Sequence, residues 1–471
     1  MTHRFRLGIQ GLFFQYYSGM PPGFRRHKEL WYQEVLGLLR EHFEVIDGGL
    51  VDCVSGARES AGRLAAENID VLLLIPMMAV KAEVGVESSR IAGVPVVVWN
   101  AHESKYLPEE YDAAALVRHS GNVGTLALTN ALLREGRRFL LITGHWQDSG
   151  VRAQIVEQLR SAGVATSLGR IQLGIIGEPF EGMLDVSLDD DVLSHNGLNK
   201  ATSISVSVLQ KTFAEISDEA LSNEVSCMKK EFSCDQVTDD ALRESGRLAL
   251  ALENVVESNQ LAGGAVNCHC AGWRDDPRLG VLGCYAVSRL TSRGVPFACT
   301  GDLSTGLAMV IAERLSGTAF YCEIDLLDYA NNEALLSNSG EMDYRYSAVD
   351  REELAPHSFY SAAAGVSVVS NGTLRSGPAT LLALTPLPNK RIRLIAASGR
   401  VLDKRAKALT ISNCVFKFDR EPINVAFDEW CMAGANHHAV LMEGCHLRAL
   451  MQIAELREWE FIAVAQKCGP V

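Results

Sequence analysis

The sequence lacks the motifs that mark the commonest enzyme sites. It contains no GxxxxGK[ST] phosphate-binding loop, no GxGxxG after a predicted strand, no HExxH and no GxSxG. These absences exclude motif-based assignment as a P-loop enzyme, a dinucleotide-binding enzyme, a zinc protease or a serine hydrolase. Any chemistry must therefore come from residues that are spread along the chain.

Long apolar runs and an excess of positive charge are also missing. The longest apolar run, VLLLIPMMAV at 71–80, is far shorter than the roughly 20 residues that span a bilayer. The N-terminal MTHRFRLGIQG has no apolar signal-peptide region. The formal net charge of −13 argues against nucleic acid or an anionic membrane as the main partner. We therefore expect a cytoplasmic protein that binds a neutral or cationic small ligand or a divalent metal.

The 12 cysteines show no zinc-finger spacing. Without a secretion signal they are expected to be reduced thiols. Cys268 and Cys270 flank His269 and form a candidate metal pair, but no second CxxC or HxxxH follows. The alternative is that they are buried structural thiols, which is the commoner use of free cysteine.

Short apolar runs alternate with amphipathic stretches through the first 318 residues. Strands are predicted at 4–10, 43–47, 71–76, 95–100 and 139–144, and helices lie between them. The continuous apolar character of these strands indicates parallel sheets that are covered on both faces. A later helix is predicted over 304–317, with Ser304 as a candidate N-cap.

After about residue 320 the pattern changes to short apolar runs with turn residues between them, which predicts an antiparallel sandwich or barrel. A helix over 446–459 follows, and FIAVA after it is interpreted as a return to an α/β layer. We predict an α/β protein with two doubly wound parallel-sheet domains, 1–136 and 137–318. A C-terminal antiparallel β-barrel or sandwich domain with a closing helix, 319–471, completes the chain.

Four stretches occur in an order that resembles the L-arabinose isomerase family and, more loosely, the L-fucose isomerases. They are GHWQD (144–148), ACTGDLSTGLAMVIAERLSG (298–317), CEIDLLDY (322–329) and AGANHHAVLMEG (433–444). The resemblance implies an enzyme that moves hydrogen between C1 and C2 of an open-chain sugar, with Mn²⁺ or a similar divalent metal. It also implies a homo-oligomer, a trimer or hexamer, with its sites at subunit interfaces.

The resemblance implies four metal-ligand positions, and only two of them keep the ligand residue in this chain. It implies that Glu323 and His438 are metal ligands. The two other ligand positions, a glutamate and a histidine in the family, fall on Thr300 and Asn338. A threonine cannot act as a carboxylate base, and an asparagine coordinates only weakly through its carbonyl oxygen. With His437, Thr300 and Asn338 are expected to bind substrate.

The missing family base directs attention to other carboxylates. Glu323 and Asp302 are the predicted catalytic residues, while Glu341 and Asp325 are nearby in sequence and could substitute. Asp302 ends a predicted parallel strand, where α/β folds bind ligands. The alternative for Asp302 is a role as the N-cap of the following helix.

His437 and His438 are adjacent. In an extended segment neighbouring side chains point to opposite faces, so only one can enter a given site. We expect His438 to point toward the metal and His437 to point the other way, where a structural role or support of a neighbouring ligand is the alternative to substrate binding.

The leading hypothesis is an aldose–ketose isomerase acting on a small sugar or sugar derivative through an enediol or a hydride shift. One alternative is a metal-independent epimerase or lyase on a modified sugar. Another is a non-catalytic sugar-binding protein.

Overall fold

A computed structural model describes residues 4–19, 21–107, 109–274, 276, 279–357 and 367–464. The chain divides into two compact units. The N-terminal unit is made of the described residues of His3–Leu168 and Met451–Glu458. The barrel unit is made of those of Gly169–Leu450 and Trp459–Val471. Within the described ranges, no helix combines the length and apolar character needed to cross a membrane.

The N-terminal unit is built on a parallel sheet with strand order β2-β1-β3-β4-β5. Every residue of the central strand Val71–Pro76 is buried, so both faces of the sheet are covered. The strands are β1 Arg6–Leu12, β2 Glu44–Val51, β3 Val71–Pro76, β4 Val96–His102 and β5 Phe139–His145. The helices are α1 Phe24–Arg40, α2 Val54–Ala66, α3 Ala82–Ala92, α4 Ala113–Arg118, α5 Gly121–Arg134 and α6 Ser149–Leu168.

The predicted boundary at residue 136 does not match this sheet. Strand β5 lies beyond that boundary and yet pairs with β4 along its whole length, from Phe139 to His145. The helix after it, α6, belongs to the same unit. The division into three domains otherwise stays a prediction.

The first part of the barrel unit is a second parallel sheet, with strand order β7-β6-β8-β9. Its strands are β6 Leu173–Ile176, β7 Thr202–Ile204, β8 Gly263–Val266 and β9 Phe297–Ala298. The helices are α7 Asp190–His195, α8 Val206–Glu215, α9 Asp218–Glu231, α10 Asp239–Ser258, α11 Ala271–Arg274, α12 Cys284–Ser292 and α13 Leu303–Ser316. The predicted parallel sheets are therefore present.

The remaining strands form a closed antiparallel barrel with strand order β14-β17-β10-β11-β16-β15, and β15 pairs back to β14. Its strands are β10 Phe320–Asp328, β11 Glu333–Ser337, β14 Gly377–Pro386, β15 Ile392–Leu402, β16 Asn413–Phe418 and β17 His438–Glu443. Two short strands, β12 Leu354–Pro356 and β13 Val368–Ser370, pair with each other. Helices α14 Ile423–Met432 and α15 Leu447–Arg457 and strand β18 Glu460–Val464 complete the described chain.

The apolar FIAVA segment was expected to return to an α/β layer, and its described residues show that this is wrong. They belong to β18, which pairs in parallel with β15 of the barrel sheet, from Glu460 to Val464. Val464 packs into the barrel core with residues of β10, β11, β14 and β16. Parallel pairing at the end of an antiparallel sheet leaves no short-range sequence signal, because the partner strand lies far back in the chain.

Candidate functional site

Asp302 lies where strand β9 gives way to helix α13. Its Oδ1 accepts a hydrogen bond from the Thr305 backbone N–H at 2.8 Å, and its Oδ2 accepts one from Thr305 Oγ1 at 2.7 Å. Asp302 is therefore the N-cap of α13, and the expectation that Ser304 caps this helix is wrong. The helix lies close to strand β8, since a Cβ on Gly306 would stand 2.2 Å from the Gly264 carbonyl oxygen.

Strand pairing in the barrel brings His438 and Glu323 together. They are direct partners in the antiparallel pair β10–β17, and such partners carry their side chains on the same face. His438 Nε2 lies 3.5 Å from Glu323 Oε1, and His438 Nδ1 lies 2.8 Å from Asp302 Oδ2. The three side chains form a series, Asp302–His438–Glu323, which we call the acid–imidazole series.

Burial differs along the acid–imidazole series. The side chains of Asp302 and His438 are 0% and 1% exposed, whereas that of Glu323 is 40% exposed. Burial by itself lowers the pKa of His438, but hydrogen bonds and charges from Asp302 and Glu323 outweigh it and raise that pKa to about 9. His438 is therefore a buried imidazolium at neutral pH, and Glu323 is the member of the series that a ligand can reach.

The two neighbouring histidines do not face opposite ways, so that expectation is wrong. Strand β17 begins at His438, so His437 is outside the extended segment. Their ring centroids are only 3.8 Å apart. His437 Nδ1 lies 2.6 Å from Asp185 Oδ2, which also accepts the His437 backbone N–H. His437 is half-exposed and therefore remains able to contact a ligand near His438.

Thr300 has an unusual backbone conformation beside the series. Its φ of +54° lies in the left-handed region, which is sterically costly for a β-branched residue. Its hydroxyl donates to the Cys299 carbonyl oxygen at 2.8 Å. Strain of this kind concentrates at functional sites, and Thr300 is partly exposed there.

Asn338 is used by the fold. Its Oδ1 accepts hydrogen bonds from the backbone N–H groups of Gly340 and Glu341, and its Nδ2 donates to the carbonyl oxygens of Tyr321 and Glu341. These contacts use both donors and both lone pairs of a buried amide. The geometry does not support substrate binding by Asn338, which instead fixes the turn that leads to Glu341.

Glu341 was expected only as a possible substitute for the carboxylate that the family has and this chain lacks. It is buried, and its Oε2 has no hydrogen-bond partner among the described residues. Burial, and then the charge of Cys268, raise its pKa to about 7, and Glu323 contributes to the same shift. Asp325, the other substitute, accepts a hydrogen bond from Ser337 on the neighbouring strand. The sequence signal for Glu341 was its position directly after the small residues Ser339 and Gly340.

The donor set that the resemblance implies for a metal does not fit these residues. Of the four implied positions, Glu323 and His438 keep a side chain that can bind a metal, but the amide of Asn338 is engaged in hydrogen bonds and Thr300 offers only a hydroxyl group. Across the described part of the chain, no group of three or more His, Cys, Asp or Glu side chains is arranged to hold a metal ion.

Comparison with known proteins relates the chain to sugar isomerases. The profile of the L-arabinose isomerase C-terminal domain matches residues 327–460. An L-arabinose isomerase from Enterobacter sp. (strain 638) is 23% identical over 349 residues, which cover 70% of this chain and 68% of that protein. The enzyme of the same name from Pectobacterium carotovorum subsp. carotovorum (strain PC1) is 20% identical over 348 residues, which cover 69% of this chain and 66% of that protein.

A solved chain from Mycobacterium smegmatis covers 66% of this chain and 86% of its own length, at 10% identity. Its TM-score of 0.13 is too low to carry an argument. The looser resemblance to L-fucose isomerases stays a prediction. The profile match and the curated relatives together support an isomerase.

Proposed function

We propose that this chain is an aldose–ketose isomerase acting on a small sugar or sugar derivative. The observation that carries the proposal is the acid–imidazole series, in which a buried aspartate and a buried imidazolium hold one accessible carboxylate, Glu323. Isomerisation of an open-chain sugar requires a base that removes a proton from the carbon next to a carbonyl. A carboxylate that a ligand can reach can serve as that base.

The reaction follows an enediol path. Glu323 takes the proton from C2 of the aldose, and the electron pair of that bond forms the C1–C2 double bond. Negative charge then builds on the C1 oxygen, where the imidazolium of His438 favours it electrostatically. The hydroxyl proton of C2 is transferred to the C1 oxygen, and Glu323 returns its proton to C1 to give the ketose.

Asp302 acts as a positioning residue in this scheme. It is fully buried and binds His438 Nδ1, so that Nε2 is directed at Glu323. Asp302 is also the N-cap of α13, and this contact fixes its own position. We propose that Thr300 and His437 border the space for the sugar.

The enediol path is proposed ahead of a hydride shift because Glu323 supplies an accessible carboxylate base and the imidazolium of His438 supplies a positive charge beside it. The same observation favours a second candidate, an epimerase or lyase on a modified sugar, since Glu323 could also begin either reaction by removing a proton. On the resemblance alone, we further propose a cytoplasmic homo-oligomer, which light scattering of the full chain tests.

The test is incubation of the full chain with a panel of aldoses, ketoses and sugar acids in D₂O, followed by proton NMR. The proposal expects a ketose from an aldose, with deuterium at C1 of the ketose and at C2 of aldose that forms in the reverse direction, because the carboxyl proton exchanges with solvent. An epimer or an eliminated product would identify the second candidate. Saturable binding of a sugar without turnover would contradict both and indicate a binding protein.

Two matched variants separate chemistry from folding. Glu323→Gln removes the proposed base and should lower turnover by about a hundredfold or more. Glu443→Gln changes the same residue type at the far end of strand β17, where Glu443 makes a half-exposed ion pair with Arg375. It should leave turnover unchanged, and equal loss in the two variants would contradict the assignment of Glu323.

A further inference from the structure

The N-terminal unit has a cavity of about 260 Å³ at the carboxyl edge of its parallel sheet. The cavity lies where strand β4 ends at His102 and helix α5 begins at Gly121, and Met77, the residue after strand β3, also lines it. Open α/β sheets bind their ligands in the crevice outside the carboxyl ends of the strands. The volume lies slightly below the range of pockets for drug-sized molecules, so the cavity suits a ligand of few atoms.

A buried lysine and a carboxylate form one wall of this cavity. Lys28 is 1% exposed, and its Nζ lies 4.7 Å from the centroid of the Trp31 ring and donates to the carbonyl oxygen of Arg118 at 3.0 Å. Glu103 Oε1 binds Lys28 Nζ, and Glu103 Oε2 lies 2.6 Å from His27 Nε2. Glu103 is the only carboxylate among the described residues that line the cavity. Both of its oxygens are engaged within the protein, so it leaves little negative charge for a ligand to meet.

The other polar groups of the wall are mainly hydrogen-bond donors. Arg118 is exposed and makes no ion pair within the described ranges, which leaves the N–H groups of its guanidinium available. Asn122 uses its Oδ1 twice, as the acceptor from Asn100 Nδ2 at 2.8 Å and as the partner of His102 Nε2 at 2.9 Å. These two contacts fix the amide of Asn122, and its Nδ2 has no hydrogen-bond partner in the described part of the chain. That group can therefore donate to a ligand in the cavity.

The start of helix α5 adds two backbone donors at the same place. Among the described residues, the backbone N–H groups of Gly121 and Asn122 have no hydrogen-bond partner, and both residues line the cavity. Such groups in the first turn of a helix are left to solvent or to a ligand. Helix α5 has 14 residues, and the positive end of its dipole favours an anion here.

Positive charge exceeds negative charge in the wall, with Lys28 and Arg118 against Glu103, although the whole chain has a formal net charge of −13. Burial is the main cause that lowers the pKa of His119, which lines the cavity, and the charge of Glu103 opposes it. The charges of Lys28, Arg118 and His27 lower this pKa further. The ring of His119 is therefore neutral at pH 7, and its N–H group is one more donor. Many donors and one engaged carboxylate together favour a ligand that is negatively charged and rich in acceptors.

We propose that this cavity binds the phosphate group of a small phosphorylated metabolite. Arg118, His119, Asn122 and the first backbone N–H groups of α5 are its donors. A phosphate monoester offers three strong acceptor oxygens, whereas a carboxylate offers two, so phosphate matches this number of donors better. Arginine and helix N-termini are regular partners of phosphate. The cavity belongs to the N-terminal unit and the acid–imidazole series to the barrel unit. The proposal therefore stands or fails independently of the proposed sugar chemistry.

The experiment is a calorimetric titration of the full chain with glycerol 3-phosphate at physiological ionic strength. Glycerol, glycerate and inorganic phosphate are the comparisons, and none of the four compounds is an aldose that the proposed isomerase would convert. We expect saturable binding of glycerol 3-phosphate, weaker binding of inorganic phosphate and no detectable binding of glycerol. Tighter binding of glycerate than of glycerol 3-phosphate would overturn the assignment to phosphate. The absence of saturable binding of glycerol 3-phosphate at millimolar concentration would overturn the site itself.

Two variants and a matched control locate the bound phosphate. Asn122→Asp keeps an Oδ1 acceptor for its neighbours and places a negative charge in the first turn of α5, which favours the helix but repels phosphate. It should weaken binding by about tenfold or more without lowering the Tm. Arg118→Gln should weaken binding by a similar factor, because it removes a charged hydrogen bond. Arg134→Gln removes the same charge at the other end of α5 and should bind as the unaltered chain does. Equal weakening in Arg118→Gln and Arg134→Gln would show general charge attraction and overturn the site.

His119 gives a second readout within the cavity. A bound phosphate places negative charge beside its ring, so saturation with glycerol 3-phosphate should raise the pKa of His119 from its lowered value. NMR titration of the imidazole measures this change in the unaltered chain and in Asn122→Asp, where the same concentration of ligand should produce little of it. An unchanged pKa of His119 in the saturated chain would overturn the placement of the phosphate in this cavity.

Discussion

His438 Nδ1 and Asp302 Oδ2 lie 2.8 Å apart, and both side chains are excluded from solvent although they are 136 positions apart in sequence. A buried ion pair is costly to form, and removal of one partner is more costly still, because it leaves an uncompensated charge. The contact joins the loop before helix α13 to the first residue of strand β17. It is therefore both a structural link within the barrel unit and the support of the proposed catalytic carboxylate.

Replacement of Asp302 with asparagine should weaken that support. Asparagine can still cap helix α13, but it removes the negative charge beside His438. We expect the pKa of His438 to fall below about 9 in this variant. NMR titration of the imidazole ring measures the change. The matched control is Asp185→Asn, which removes the acidic partner of the half-exposed His437. An equal shift of the His438 pKa in both variants would contradict the assigned pairing.

The same ion pair predicts how stability depends on pH. The pKa of His438 rises from its ordinary 6.5 to about 9 in the folded chain. A group whose folded-state pKa is raised contributes stability fully below its unfolded pKa and loses that contribution as the pH rises through the folded value. We expect the free energy of unfolding in urea to fall by on the order of 3 kcal/mol between pH 6.5 and 9 from this group. Asp302→Asn should show a much smaller fall, and an unchanged fall would contradict the prediction.

The sequence predicted the elements better than it predicted the site. Continuous apolar runs such as 71–76 identify buried parallel strands, because burial on both faces leaves no alternation to misread. The short strand Thr202–Ile204 and helix α9 were not predicted, since they lie in a polar region whose apolar periodicity is weak. The predicted placement of the last strand in an α/β layer was wrong, because pairing between distant strands is set by tertiary packing.

Within the site, Glu323 and His438 were predicted through the family resemblance, and strand register then brings them together. The role of Asn338 could not be read from the sequence, because its four hydrogen bonds depend on the path of the turn around it. The contact between the rings of His437 and His438 was missed for a related reason. The strand begins one residue later than the alternation argument assumed.

The stability of the chain should depend on pH through Glu341. This carboxyl group is buried, and its Oε2 has no hydrogen-bond partner among the described residues. Its pKa is raised from 4.5 to about 7, so its stabilising contribution is complete below 4.5 and is lost as the pH rises through 7. Glu341→Gln removes this ionisation. The variant should gain stability relative to the unaltered chain by on the order of 3 kcal/mol between pH 4.5 and 8, measured by urea unfolding. A constant difference across that range would show that the carboxyl group does not titrate there.

The folded chain should be more stable with glycine in place of Thr300. Its φ of +54° costs a β-branched residue on the order of 1–2 kcal/mol, and its hydroxyl donates to the carbonyl oxygen of the preceding residue. Because glycine carries an entropic cost of its own, we expect a net gain of about 1 kcal/mol in Thr300→Gly, measured by thermal unfolding. Thr300→Ala keeps the Cβ and is the matched control, which should gain little. Equal gains in the two variants would show that the backbone conformation is not the source of the strain.

Mn²⁺ should not bind at the acid–imidazole series. A divalent ion needs several free oxygen or nitrogen donors directed at one point, yet His438 already meets a carboxylate on each ring nitrogen. We expect calorimetry to detect no stoichiometric binding at neutral pH. Binding that is lost in both Glu323→Gln and His438→Ala would contradict this reading, because those two residues would then be ligands and His438 would have to be neutral in the loaded protein.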